Sequence, residues 1–157
     1  MNTPSLDDIG KVLLALYRDL AEPWYGWVLP AYEADPYRTV RDALAALGAS
    51  VEDGTDLNDD VSCHYLVRRG GRLVVAELSL AGPYAVVLDG KAVDGAPAPE
   101  LVEDITQTLQ AHGLLLLDAD MLRIPVGMLF ENVEAGQGTL YQALFADTPS
   151  PFEVAGP

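Results

Sequence analysis

The chain has 157 residues, half of them hydrophobic, and 24 acidic residues against 9 lysines and arginines give it a formal net charge of −15. This length and apolar content predict a single globular domain, residues 1–147, followed by a loose proline-rich tail, residues 148–157. The charge argues against nucleic acid as a partner, because phosphate recognition begins with a basic surface. It argues against an anionic membrane surface for the same reason.

The single cysteine and the N-terminal residues indicate a cellular compartment. Cys63 has no second cysteine to pair with, so an intramolecular disulfide is impossible and a reducing cytoplasm is expected. The N-terminus lacks the cationic region of a signal peptide, and its first apolar run stops at Arg18. No apolar run approaches the ~20 residues that a membrane span needs.

Two amphipathic helices are predicted before residue 50. The first begins at Ser5, where a serine with an acid three residues later resembles a capping box, and its apolar positions recur at helical spacing until Pro23. The second begins at Asp35, which is followed by proline at the first helical position, and it ends at Gly48. An acidic, turn-like segment follows at residues 51–60.

The middle of the chain predicts a β-meander. Residues 61–69 and 72–80 alternate as strands, and Gly70-Gly71 between them suits a tight hairpin turn. Residues 84–88 form the third strand. Because consecutive strands joined by short turns pair antiparallel, these three should form one sheet in sequential order.

The C-terminal part predicts a helix that packs on this sheet. The helix starts near Pro99, ends at His112-Gly113, and presents three apolar residues on one face: Leu101, Ile105 and Leu109. A short buried strand is expected at 114–117, a helical turn capped by Asp118 follows, and another strand is expected at 139–145.

The predicted fold class is α+β, with an antiparallel β-meander sheet and helices packed on one of its faces. The alternation within the second strand is incomplete, because Leu73 and Val75 add apolar side chains to its other face. Part of that second face should therefore also be covered, by another element or another subunit. A homodimer is left open by this pattern.

The residue patterns that suggest catalysis or metal binding each have a simpler interpretation. Cys63 and His64 lie on a strand, where neighbouring side chains point to opposite faces, so they cannot act as a nucleophile and its base. The acidic segment 52–60 fails the EF-hand pattern, and Asp118-Ala119-Asp120 is explained by helix capping. No catalytic residue, metal or cofactor is assigned.

Two groups of residues are candidate partner-binding sites. The aromatic segment contributes Trp24, Tyr25, Trp27 and Tyr32, residue types that are frequent in binding hot spots. Packing of a long connection between helices explains these aromatics equally well. Arginines flank the predicted hairpin turn at positions 68, 69 and 72, where they suit an anionic partner or serve solubility.

The order of a leading helix, a three-strand meander, a helix and further strands in a small acidic chain resembles the type III secretion chaperones and their small acidic relatives. The resemblance covers residues 5–145 and rests on element order and charge, with no specific motif. An additional helix at 37–47 departs from the pattern, and no final helix is expected after Phe145. The resemblance implies binding of an extended segment of a partner protein and no catalysis.

The function expected from these observations is a non-enzymatic, acidic protein-binding module with a basic protein partner. It would act as a chaperone-like binder or as an inhibitor of the immunity-protein type, where charge complementarity speeds association. Two alternatives stay open. One is a small carboxylate-based or metal-assisted enzyme using Glu77, Asp118 or Asp120, and the other is a small-ligand sensor with an aromatic pocket.

Overall fold

The structure, a computed structural model, describes residues 4–151. Within them the α-helices are α1 (Leu6–Tyr17), α2 (Val28–Glu33), α3 (Arg38–Ala45), α4 (Pro99–Ala111), α5 (Ala119–Leu122) and α6 (Leu140–Leu144). The strands are β1 (Ser50–Asp53), β2 (Ser62–Arg69), β3 (Arg72–Ser79), β4 (Tyr84–Leu88) and β5 (Leu115–Leu116).

The five strands form one sheet in the order β1-β2-β3-β4-β5. The first four pair antiparallel, whereas β5 pairs parallel with β4 because α4 carries the chain back across the sheet before β5 begins. Gly70 and Gly71 have φ angles of 57° and 76°, which the two central residues of a type I′ hairpin turn require. This turn pairs Arg69 with Arg72 and so sets the register of the whole β2–β3 hairpin.

The α+β class and the three-strand meander are confirmed. The apolar residues of the sheet divide between two cores, one on each face. We call them the α3–α4 face, covered by these two helices, and the α1–α6 face, covered by α1, α2, α5 and α6. The prediction of helices on one face was therefore incomplete, and elements of the same chain cover the second face.

The α3–α4 face is built from the predicted helix positions. Leu101, Ile105 and Leu109 of α4 are all buried there, together with Val40 and Leu44 of α3. On the α1–α6 face, the buried helix residues include Ile9, Leu13, Tyr17, Leu140 and Leu144. The two faces together bury every residue of β3 from Val74 to Ser79.

Two predictions of local structure were wrong. The predicted strand 139–145 is helix α6, because Thr139 and Gln142 form a capping box in which the Gln142 Oε1 accepts from the Thr139 backbone N–H at 2.7 Å. The segment 51–60, expected to be a turn, begins with part of strand β1, which pairs with β2 at the edge of the sheet. Tertiary pairing overrides the low strand propensity of its acidic residues.

The start of the predicted tail packs against the domain. The Gln142 side chain donates to the carbonyl of Thr148 at 3.1 Å, and Ser150 is buried. Residues 152–157, the rest of that predicted tail, lie outside the described residues. None of the helices within residues 4–151 has both the length and the apolarity to cross a bilayer.

Candidate functional site

An open cavity of about 410 Å³ lies between α2, the segment before β2 and the loops on either side of α6. This volume falls within the range of about 300–1,000 Å³ that is usual for ligand pockets. We call it the acidic pocket, because four of its lining residues carry carboxylates: Asp59, Asp60, Glu131 and Asp147. The other lining residues have aromatic, aliphatic or amide side chains: Tyr25, Val28, Leu29, Leu57, Asn58 and Val61.

Backbone pairing between two distant segments brings these carboxylates together. The Val61 N–H donates to the Phe145 carbonyl at 2.9 Å, and the Asp147 N–H donates to the Asp59 carbonyl at 2.8 Å. The Asp147 side chain then accepts from the backbone N–H of Glu131, also at 2.9 Å. The pocket therefore depends on contacts between residues more than 80 positions apart, which no local sequence pattern contains.

The pocket carries uncompensated negative charge. The ion pairs found within residues 4–151 use other carboxylates, namely Asp35, Glu52, Glu77, Asp104 and Asp120. Burial raises the pKa of Tyr25 to about 12, and the charges of Asp147 and Glu131 add to this effect. Burial also raises the pKa of Asp60; the hydrogen bond from the Asp56 backbone N–H and the nearby His64 oppose this rise, and the charges of Asp56 and Asp59 add to it. The shift of the Tyr25 pKa reflects the position of its ring near the carboxylates of Asp147 and Glu131.

The aromatic segment divides between surface and core. Trp24 is 41% exposed and Tyr25 39% exposed, whereas Trp27 is only 8% exposed and belongs to the core of the α1–α6 face. The Tyr17 ring packs edge-on against both Tyr25 and Trp27, with ring centroids 5.3 Å apart in each pair. The guanidinium of Arg18 lies 3.6 Å from the centroid of the Trp24 ring. Of the two tryptophans, only Trp24 is therefore available to a partner, together with Tyr25.

The other predicted binding residues lie elsewhere and mostly have partners within the chain. The Tyr32 hydroxyl donates to Asp53 at 2.7 Å. Arg68 pairs with Glu52 at 3.3 Å, Arg69 pairs with Asp104 at 2.9 Å, and Arg72 is exposed. These arginines lie at the far end of the β2–β3 hairpin, about 25 Å from the acidic pocket at the strand rise of about 3.3 Å per residue. The structure does not bring the aromatic and arginine groups together.

Cys63 and His64 point to opposite faces of the sheet, as predicted. Cys63 is buried on the α3–α4 face, where burial raises the pKa of its thiol to about 11. Such a thiol stays protonated at neutral pH and is a poor nucleophile. His64 instead lies opposite Glu77 on the neighbouring strand.

Glu77 is the centre of a buried polar cluster that the sequence reasoning did not find. Its carboxylate is fully buried on the α1–α6 face, and the Tyr141 hydroxyl lies 2.7 Å from Oε1 and 3.0 Å from Oε2, donating to the carboxylate. The His64 Nδ1 lies 3.6 Å from Oε2, beyond hydrogen-bond distance. Burial raises the pKa of Glu77 to about 7, opposed by the Tyr141 hydrogen bond and reinforced by the charge of Asp60.

The metal-site alternatives gain no support from the geometry. No group of three or more potential metal-ligating side chains occurs in the described part of the chain, residues 4–151. Asp118 caps α5 by accepting from the Met121 N–H at 2.9 Å, and Asp120 lies 3.5 Å from the Arg123 guanidinium. In the acidic segment, Asp53 accepts hydrogen bonds from Thr55 and Tyr32. Local protein contacts thus explain these carboxylates.

Comparison of the chain with protein-family models, with curated proteins and with solved structures gives no match.

Proposed function

We propose that this protein is a non-enzymatic protein-binding module, acting in the cytoplasm, that holds a basic partner through the acidic pocket. The observation that carries the proposal is the convergence of four carboxylates and an exposed tyrosine ring on one cavity of about 410 Å³. A lysine or arginine side chain combines an apolar stem with a cationic head. The aliphatic walls suit the stem, and the carboxylates suit the head.

The aromatic residues beside the pocket support a protein as the partner. Exposed Trp and Tyr side chains contribute large contact areas at low entropic cost and dominate many interfaces. Trp24 and Tyr25 are both partly exposed, and Leu29, which lines the pocket together with Tyr25, is 53% exposed. A cation can also bind over the face of a tyrosine ring, and this attraction adds to that of the carboxylates.

The net charge favours a basic partner over an acidic one or a second copy of this chain. At a formal charge of −15 two copies repel each other, whereas a basic protein is attracted and associates faster at low salt. An inhibitor of the immunity-protein type, which covers the basic surface of a toxin, fits this requirement directly. A chaperone-like binder with a basic client is the second form of the same proposal.

The carboxylate-enzyme alternative is less well supported. Glu77 has the raised pKa of a proton-transfer group, but its side chain is fully buried and a substrate cannot reach it without local opening. Asp118 and Asp120 have the structural roles described above. We therefore do not propose a catalytic residue.

A blocked hexa-arginine peptide, acetylated and amidated at its ends, tests the proposal by isothermal titration calorimetry at low and moderate salt. We expect Glu131→Gln to weaken binding several-fold, because Glu131 is exposed at the pocket. Glu134→Gln is the matched control. It removes an identical charge only three positions along the chain, but Glu134 does not line the acidic pocket.

Equal weakening by the two substitutions would show that the peptide responds to overall charge and would contradict the pocket. Tyr25→Leu extends the test by removing the ring while keeping an apolar side chain. We expect faster dissociation of the peptide from this variant, because the ring contributes contact area and not long-range attraction.

A further inference from the structure

The buried Glu77 cluster has no role in the proposed binding surface, yet it is joined to the acidic pocket through β2, which begins directly after the pocket-lining residues Asp60 and Val61. Glu77 pairs across the hairpin with His64, two residues from Ser62. The Ser62 hydroxyl donates to the Phe145 carbonyl at 2.9 Å, in the same pair of segments that forms the pocket. Tyr141, which holds Glu77, lies one helical turn before Phe145.

The groups that face Glu77 act on its ionisation in opposite directions. His64 comes from β2, Asp60 from the segment before β2, and Tyr141 from α6, while β4 places the aliphatic Val86 opposite Glu77. Burial and the negative charge of Asp60 favour the protonated carboxyl, and the Tyr141 hydroxyl favours the carboxylate. Opposing effects of this kind hold the carboxyl near the balance between its two states.

We propose that Glu77 is a proton-binding site that couples pH to capture of a cationic partner in the acidic pocket, with affinity highest when Glu77 is ionised. The inference rests on the proposed function of that pocket. Asp60 connects the two sites, because its side chain lines the pocket and its charge acts on Glu77. A cation bound beside Asp60 stabilises the ionised form of Glu77 through the protein interior, where screening by salt is weak.

The coupling is reciprocal. If ionisation of Glu77 strengthens binding of a cation, the bound cation must lower the proton affinity of Glu77 by the same factor. Near neutral pH, where the free protein holds a mixture of both forms, binding then releases protons. Binding and proton release are thus two independent measurements of one interaction.

The experiment compares the full chain with its Glu77→Gln variant, using the blocked hexa-arginine peptide between pH 5.5 and pH 8. The peptide does not titrate in this range, because arginine stays charged throughout. Glutamine keeps the shape of the protonated carboxyl and an oxygen for the Tyr141 hydroxyl. We expect equal affinities at pH 5.5 and about threefold or more tighter binding by the wild type at pH 8.

The carbon-13 signal of the Glu77 carboxyl, followed by NMR with and without peptide, gives the second measurement and needs no variant. We expect bound peptide to move the titration midpoint to lower pH. An unchanged midpoint, or a constant affinity ratio between wild type and Glu77→Gln at every pH, overturns the coupling and leaves the pocket intact. If no peptide binds at any pH, the coupling and the proposed function both fall.

Discussion

The two faces of the sheet use the same strands for different purposes. On the α3–α4 face, every fully buried strand side chain is apolar or aromatic, from Cys63 and Tyr65 to Leu78. On the α1–α6 face, the same strands place a carboxylate and an imidazole at one level of the sheet. An apolar face stabilises the fold, whereas a face with a buried ionisable cluster also gives it a response to pH. The acidic pocket lies on the side of the second face.

A large effect on stability is expected on the α3–α4 face. Ile105→Ala removes a fully buried side chain at the centre of α4 and leaves a cavity, so we expect the free energy of unfolding to fall by about 2–5 kcal/mol. Urea denaturation at pH 7 measures this change. Gln110→Ala, at an exposed position of the same helix, should cost about 0.5 kcal/mol or less. Similar losses in the two variants would contradict the packing of α4 on the sheet.

The next effect, a pH dependence of stability, distinguishes the α1–α6 face from the α3–α4 face. The pKa of Glu77 is raised from 4.5 to about 7 by burial, so the folded state holds its proton more tightly than the unfolded state. The free energy of unfolding should therefore decrease as pH rises from about 4.5 to about 7, by about 3 kcal/mol in total at 1.36 kcal/mol per pH unit. This contribution is fully present below the unfolded pKa and lost above the folded one.

Glu77→Gln should lack that part of the pH dependence. Urea denaturation at half-unit steps from pH 4.5 to pH 8 gives both curves, and their difference isolates Glu77 from the other titrating groups. We expect the variant to gain stability relative to the wild type as pH rises. Parallel curves for the two proteins would mean that Glu77 ionises normally despite its burial.

The smallest effect on stability is expected at the exposed end of the aromatic segment. Trp24→Ala removes a partly exposed ring and its contact with Arg18, so it should cost about 1 kcal/mol or less. Trp27→Ala, three residues later in the core, should cost about 3–5 kcal/mol. Thermal denaturation of the two variants tests whether Trp24 lies at the surface and Trp27 in the core. Equal losses would place Trp24 in the core and remove it from the binding surface.

Much of the fold could be predicted because its signals are local. The periodicity of Leu101, Ile105 and Leu109 locates the buried side of α4, and the Gly70-Gly71 turn locates the β2–β3 hairpin. Helix α6 was missed because its five buried residues show no polar side from which a helical period could be recognised. Its capping box, Thr139 with Gln142, was the available signal.

The candidate site was less predictable because it depends on long-range pairing. The backbone hydrogen bonds between residues 59–61 and 145–147 cannot be predicted from the sequence of either segment alone. The Glu77 cluster was partly accessible, since a two-residue turn at Gly70-Gly71 pairs 69 with 72 and therefore His64 with Glu77. Tyr141, the third member, required knowledge of where α6 packs. The length of a hairpin turn thus predicts which residues pair across the two strands, but it does not predict which helix packs on them.

The most direct test of the account is the location at which a cationic peptide binds. Backbone amide NMR of the full chain, titrated with the blocked hexa-arginine peptide, measures this for each assigned residue. We expect the largest shift changes at Tyr25, at residues 57–61 and around Glu131 and Asp147, and little change at the Arg68–Arg72 end of the hairpin. Shift changes spread evenly over the acidic surface, or centred on the exposed side of α4, would contradict it.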